Sequence, residues 1–191
     1  MEKVIRLPKM TEYAHQLLGE ILTEGDMAID ATCGNGHDTL FLAQRVGENG
    51  RIYAFDIQER AIRNTSERLE RAGVRERVIT ILDSHAKMKE HISEEAKAII
   101  FNLGYLPGGD KQVTTKAETT LAALKVSLEL LQKGGLLLVV LYPGHEEGKV
   151  ESDLLLSWAK GLESERYKVL RVDYLNLNND PPYILAIYRV N

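Results

Sequence analysis

Leu177-Asn-Asn-Asp-Pro-Pro182 separates two strand-like runs, residues 167–176 and 183–190. A connection this short cannot hold a crossover helix, so the two runs must pair as antiparallel neighbours. Working outward from that hairpin, the rest of the chain alternates strand and helix. Apolar runs at 27–30, 51–56, 78–82, 98–102 and 136–142 read as strands. Helical spacing predicts helices over 11–22, from 37 through 46, over 59–72, from 117 to a stop at Gly134-Gly135, and over 149–162. In the helix over 59–72, Ile62, Thr65, Leu69 and Ala72 share one face and Gly73 stops it. In the helix over 149–162, Val150, Leu154, Leu155, Trp158 and Leu162 point inward. Thr115-Lys-Ala-Glu118 has the form of a capping box. The run at 136–142 is continuously apolar, as in a central strand buried on both faces.

The chain has 191 residues, 44% of them hydrophobic and 27% charged. That suits one domain over 1–191, with residues 1–25 as an N-terminal helical segment. Residues 1–8 carry Glu2, Lys3 and Arg6 without a long apolar run, so no signal peptide is expected. No stretch approaches the roughly 20 apolar residues of a membrane span. The cytoplasm is the expected compartment. The single cysteine, Cys33, excludes an internal disulfide and a cysteine-based zinc site, and reads as a small packing residue. A net charge of −4 argues against a protein that coats nucleic acid non-specifically.

A parallel doubly wound sheet with an antiparallel strand near its C-terminus is the architecture of class I methyltransferases. The expected fold is therefore α/β and Rossmann-like, with a seven-stranded mostly parallel sheet, one antiparallel C-terminal strand and helices on both faces. The first strand ends in Asp30-Ala-Thr-Cys-Gly-Asn-Gly-His-Asp38. Gly34 and Gly36 let the backbone approach a ligand, and the N–H groups of the helix that follows face it. A nicotinamide fingerprint needs a third glycine at position 39 for packing beside a pyrophosphate, and Thr39 stands there. An acid four residues before the first glycine, Asp30, can pair with the ammonium of S-adenosylmethionine. Asn35, His37 and Asp38 are polar groups placed to wrap its methionine part, with helix capping the competing role for Asp38.

Asp56 ends the second strand, where an acid accepts from both ribose hydroxyls, and Gln58 sits beside the adenosine. Asp83-Ser84-His85 ends the third strand, where a polar group meets the adenine amine. Loop capping is the competing reading for Asp83 and Ser84, and helix capping for Asp56.

The fourth strand ends in Asn102-Leu-Gly-Tyr-Leu-Pro-Gly-Gly-Asp110. Asn102-Leu-Gly-Tyr105 keeps the first and last members of the Asn/Asp-Pro-Pro-Tyr motif of amino-group methyltransferases. An amide oxygen and a backbone carbonyl there accept from the target nitrogen, and the aromatic residue stacks on the substrate. Asn102 and Tyr105 are thus catalytic candidates. His145, in Tyr142-Pro-Gly-His145 after the fifth strand, is a candidate substrate contact or proton acceptor. His15 in the first helix is a weaker one. His37, His85 and His145 lack the spacing of a metal site, so no metal is expected.

Asp30-Ala-Thr-Cys-Gly-Asn-Gly-His-Asp-Thr39, Asn102-Leu-Gly-Tyr-Leu-Pro-Gly-Gly-Asp-Lys111 and Tyr142-Pro-Gly-His-Glu-Glu-Gly148, in that order, resemble the bacterial family long labelled rRNA methylase, whose studied members are MnmM-type tRNA methyltransferases. The resemblance spans nearly the whole chain. It implies S-adenosyl-L-methionine as cofactor. It also implies methylation of the aminomethyl nitrogen of 5-aminomethyl-2-thiouridine at the tRNA wobble position. The tRNA anticodon loop is then the expected partner, met by Arg6, Lys9, Lys111 and Lys116. A homodimer is compatible with the sequence, and a membrane partner is not expected. Methylation of rRNA or of a small-molecule amine, a nicotinamide oxidoreductase, and a cofactor-binding protein without catalysis stay open as alternatives.

Overall fold

The computed structural model describes residues 7–104, 106, 108 and 114–191. Its seven strands are β1 (Met27–Asp30), β2 (Arg51–Asp56), β3 (Val78–Leu82), β4 (Ala96–Asn102), β5 (Leu131–Leu141), β6 (Tyr167–Val172) and β7 (Tyr183–Arg189). They form one sheet in the order β3-β2-β1-β4-β5-β7-β6. Strands β1 to β5 pair in parallel, and β7 runs antiparallel to both β5 and β6. The strand order reverses between β1 and β4, where an open α/β sheet leaves a crevice at the carboxyl ends of its strands. An antiparallel strand starts where its parallel neighbours end. The connection from β6 into β7 therefore falls on the same rim.

Helices α1 (Met10–Ile21), α2 (His37–Arg45) and α3 (Glu59–Arg71) cover one face of the sheet through Ala14, Leu18, Leu42, Ala43 and Leu69. Helices α4 (Met88–His91), α5 (Ala117–Leu130) and α6 (Glu146–Lys160) cover the other through Met88, Ala123, Leu124, Leu155 and Ala159. Buried on both faces, Leu136–Leu141 is the apolar central strand that its sequence requires. Among the described residues no helix is long and apolar enough to cross a membrane.

The structure corrects several expectations. Helix α5 stops at Leu130, not at Gly134-Gly135. Leu131 already opens β5, opposite Ala96, and the next paired residues are Leu136 and Ala98. The two glycines lie in the irregularity between, with Gly134 at φ +69°. The Thr115–Glu118 capping box does not form: the N-cap of α5 is Lys116, with no side-chain cap, and the Thr115 hydroxyl is used elsewhere. Leu155, Trp158 and Leu162 pack on the core as expected, but two of the expected inward residues of α6 do not. Val150 is 60% exposed and Leu154 36%, while Glu151, Ser152, Leu155 and Ala159 are buried. The reason is Glu151, which two threonines hold in the interior. Ala72 is exposed at the end of α3, and β6 ends at Val172, short of the expected 176.

Candidate functional site

A cavity of about 990 Å3 opens at the carboxyl ends of β1 to β5. Gly34, Asn35, His37, Asp38, Asp56, Gln58, Asp83, Ser84, His85, Asn102 and His145 line it. The fold thus brings together candidates separated by more than 100 positions in the chain. Asp30 and Gly36 stand behind the wall, and Tyr105 lies outside the described residues.

Asp30 is fully buried. Its carboxylate accepts from the Thr32 N–H at 3.1 Å and the Thr39 hydroxyl at 2.5 Å. Burial, then the negative charge of Asp38, pushes its pKa up to about 7. Both contacts lie within the loop and the first turn of α2, and Asp30 is not among the residues that line the cavity. The third-glycine position is filled by Thr39, wholly buried and committed to Asp30. Gly36 sits at φ +76° as the N-cap of α2. A Cβ there would lie 2.8 Å from the Thr65 Cα, so only glycine lets the loop close on α3. Cys33 is buried, and burial pushes its thiol pKa up, which fits a packing residue.

Asp56 ties the end of β2 to this loop. Its Oδ2 accepts from the Gly34 N–H and its Oδ1 from the Gln58 N–H, each at 3.0 Å. Burial raises its pKa and the backbone donors oppose that. Asn35 is fixed from α3: its side-chain oxygen accepts from Asn64 at 2.8 Å and its carbonyl from Arg68 at 2.6 Å. Arg68 also donates to His37 Nε2 at 3.1 Å. Burial and then the Arg68 charge lower the His37 pKa.

Asp83 accepts from the Ser84 N–H at 2.7 Å and from His91 at 3.0 Å, contacts that lower its pKa to about 2. Ser84 caps the short turn that precedes α4 through the Ala86 N–H. Ser84 thus makes the capping contact, Asp83 binds the adjacent N–H and His91, and both line the cavity. His85 is different. A carbonyl can only accept, so its Nδ1–H donates to Ala31 O at 3.2 Å. Nε2 then carries a lone pair, buried and without a partner among the described residues. Burial lowers the pKa and keeps the ring neutral.

The other end of the cavity is built around Asn102. Its N–H donates to Thr32 Oγ1 at 2.8 Å, joining the end of β4 to the loop after β1. Its side-chain Nδ2 donates to Asp38 Oδ2 at 3.0 Å. A carboxylate only accepts, so this bond fixes the amide orientation. Among the described residues Oδ1 is left without a protein partner, on a residue that lines the cavity. Burial, then the charge of Asp38, raises the Tyr142 pKa to about 12, which keeps this cavity-lining phenol neutral.

His145 has a further duty. Its Nδ1 accepts from the Gly148 N–H at 3.1 Å, capping α6. Glu147 Oε2 lies 3.3 Å from the same nitrogen, a contact that favours an Nδ1–H. The amide can only donate and the Glu147 side chain is exposed, so the cap sets the tautomer. With Nδ1 accepting the cap, the ring proton sits on Nε2.

Sequence reading missed Thr32, Tyr142 and Glu151. Glu151 accepts from Thr115 at 2.9 Å and Thr120 at 2.6 Å. Thr115 Oγ1 accepts from the Gly104 N–H at 3.1 Å, and the Thr115 N–H donates to Gly104 O at 3.2 Å. This clasp closes the base of the loop that follows Asn102. Asn179 (φ 67°) and Asp180 (φ 47°), with Pro181 and Pro182, bring the hairpin connection to the cavity wall.

The rRNA methylase family matches residues 52–188, and the protein-L-isoaspartate O-methyltransferase family matches residues 1–91. A chloroplastic tRNA (mnm5s2U34)-methyltransferase of Arabidopsis thaliana is 39% identical over 96% of this chain and 70% of its own length. The crystal structure of an rRNA methylase from Clostridium thermocellum superposes with a TM-score of 0.95 at 41% identity, covering 97% of this chain and all of that one. A Streptococcus mutans methyltransferase, solved with S-adenosylhomocysteine, gives 0.88 at 37% identity with the same coverage.

Proposed function

This chain belongs to the rRNA methylase family, a group of S-adenosylmethionine-dependent methyltransferases, and from that premise we propose that it methylates the aminomethyl nitrogen of 5-aminomethyl-2-thiouridine at the tRNA wobble position. The observation that carries this reading is the Asn102 Oδ1, unpartnered among the described residues and held on the same cavity wall as the glycine loop. An amide oxygen there suits a nitrogen nucleophile that still bears N–H bonds.

The residues present fit the cofactor. The cavity volume lies in the usual range for ligand sites. His85 offers a buried neutral lone pair that an exocyclic adenine amine would satisfy. Asp56, beside Gly34, would take the ribose hydroxyls. Asn35, His37 and Asp38 would surround the methionine part, with Gln58, Asp83 and Ser84 along the adenosine. Bound S-adenosylmethionine supplies a methyl group on a positively charged sulfur. The chain supplies positioning and water exclusion, which are worth most in a reaction needing only in-line approach of a lone pair. Asn102 Oδ1 accepts an N–H of the neutral amine, aims its lone pair, and strengthens that bond as positive charge grows on nitrogen. The extra proton of the product ammonium leaves to water at the cavity mouth. His145, as an Nε2–H donor, contacts the substrate and does not take that proton.

The tRNA anticodon loop would meet the cavity mouth in the cytoplasm. Lys116 is exposed there, and Lys9 is exposed before α1. Arg6, Lys111 and the stacking candidate Tyr105 lie outside the described residues. Nucleoside mass spectrometry of tRNA from a strain lacking this gene tests the reading. Accumulated 5-aminomethyl-2-thiouridine with loss of its methylated form is the expected result. Unchanged levels of the methylated nucleoside would overturn it.

A further inference from the structure

We infer that His15, on the helix that precedes the sheet, is a positioning residue for methyl transfer: it holds Asp38, and through Asp38 it sets the amide of Asn102. The inference rests on the proposed role of Asn102. The chain of contacts crosses three elements. His15 Nε2 lies 2.6 Å from Asp38 Oδ1, and Asp38 Oδ2 lies 3.0 Å from Asn102 Nδ2. The carboxylate can only accept, so both neighbours must donate to it. That requirement fixes the imidazole tautomer at one end and the amide orientation at the other. The His15 ring is itself held by Phe41, stacked at 4.1 Å between centroids and 4° between planes. Asp38 is buried and lines the cavity, whereas His15 does not line it.

Without His15, Asp38 loses its partner on α1 and is free to turn. Asn102 can then rotate and present Nδ2, a donor, where the amine needs an acceptor. A 180° amide flip replaces attraction by repulsion between two donors. The larger part of the defect falls on the reaction step. The bonds that hold His85 and Asp56 at the cavity wall do not involve this chain of contacts.

The test compares wild type, His15→Ala, His15→Gln, Asn102→Ala and the His15→Ala/Asn102→Ala double variant. Single-turnover methylation of tRNA bearing 5-aminomethyl-2-thiouridine is measured beside calorimetry with S-adenosylmethionine. His15→Ala should slow methyl transfer on the order of tenfold, the rate equivalent of one lost charged hydrogen bond, with a clearly smaller loss of cofactor affinity, since Asp38 also borders the methionine part. His15→Gln, whose side-chain N–H can reach Asp38, should restore most of the rate. In the Asn102→Ala background the His15 substitution should cost nothing further. A wild-type rate for His15→Ala, or an equal loss in both backgrounds, would overturn the inference. The Asn102 side-chain N–H resonances give a readout that needs no substrate. They should move on His15→Ala, and unmoved resonances would also overturn it. A wild-type protein inactive on this tRNA would instead overturn the proposed substrate, while the resonance shift still decides the His15 contact.

Discussion

Replacing Gly36 with Ala attacks the cofactor loop at its tightest point. Two costs add. Gly36 is at φ +76°, a conformation that costs a non-glycine residue about 1–2 kcal/mol. The new methyl would meet the Thr65 Cα at 2.8 Å and the Thr65 Cβ at 3.2 Å. The first contact is backbone of α3, which cannot swing aside, and overpacking of this kind costs about 1–3 kcal/mol. The expected loss is about 2–5 kcal/mol, a large part of a typical domain's stability. Gly73→Ala is the matched control. Gly73 has φ +69°, but a Cβ there would meet nothing within 4 Å, so only the backbone cost of about 1–2 kcal/mol applies. Guanidinium denaturation of both variants reads the difference. Thr65 also donates to Gly34 O at 3.1 Å, so pushing it away should weaken S-adenosylmethionine binding in Gly36→Ala alone. Equal destabilisation by the two substitutions would refute the claim that this loop is locked on α3.

Other substitutions test separate parts of the site. Asp56→Ala removes the acceptor for the Gly34 N–H of the glycine loop and for the Gln58 N–H after β2, and should weaken S-adenosylmethionine binding roughly 10–100-fold by calorimetry. Asp30 has a folded-state pKa of about 7 against an ordinary 3.8, so the folded state binds more protons between those values and stability falls as pH rises through that window. Asp30→Asn should lack that slope when denaturation midpoints are compared across the window, and a parallel pH dependence in the two proteins would contradict the assignment. Glu151→Ala leaves the Thr115 and Thr120 hydroxyls without their acceptor and should cost about 2–4 kcal/mol in chemical denaturation. It should also raise the KM for tRNA more than that for the cofactor, because it loosens the base of the loop after Asn102.

Much of the fold was legible because each element reports its own burial. The continuous run at 136–142 marks a central strand, and Leu177-Asn-Asn-Asp-Pro-Pro182 leaves room only for an antiparallel pair. What stayed hidden depends on partners far along the chain. Helix α6 looked as if Val150 and Leu154 faced inward, since apolar spacing cannot register that Glu151 is satisfied by Thr115 and Thr120. Thr115 resembled a helix cap because its bond to Glu151 spans 36 positions. Gly134-Gly135 carried the usual signal of a helix stop, whereas the helix ends earlier, where Leu131 pairs with Ala96. Short α4 has too few residues to show a period.

In the site, residue type and position at strand ends gave Asp56, Asp83 to His85 and Asn102. The direction of each side chain was not legible. Asp30 reads from sequence like a ligand group, yet Thr32 and Thr39 turn it inward. The Asp38 contacts with His15 and Asn102 span 23 and 64 positions, so no local pattern announces them.

The central claim is that Asn102 presents its amide oxygen to the amine that receives the methyl group. Its most direct test is single-turnover methylation, by wild type and Asn102→Ala, of tRNA carrying 5-aminomethyl-2-thiouridine. Nucleoside mass spectrometry reads the product and calorimetry reads cofactor affinity. Wild type should form 5-methylaminomethyl-2-thiouridine, and Asn102→Ala should be slower by roughly 10²–10³, the cost typical of losing one charge-stabilising group at a reacting centre, with a far smaller loss of affinity for S-adenosylmethionine. Full activity in the variant would place the acceptor elsewhere and contradict the account.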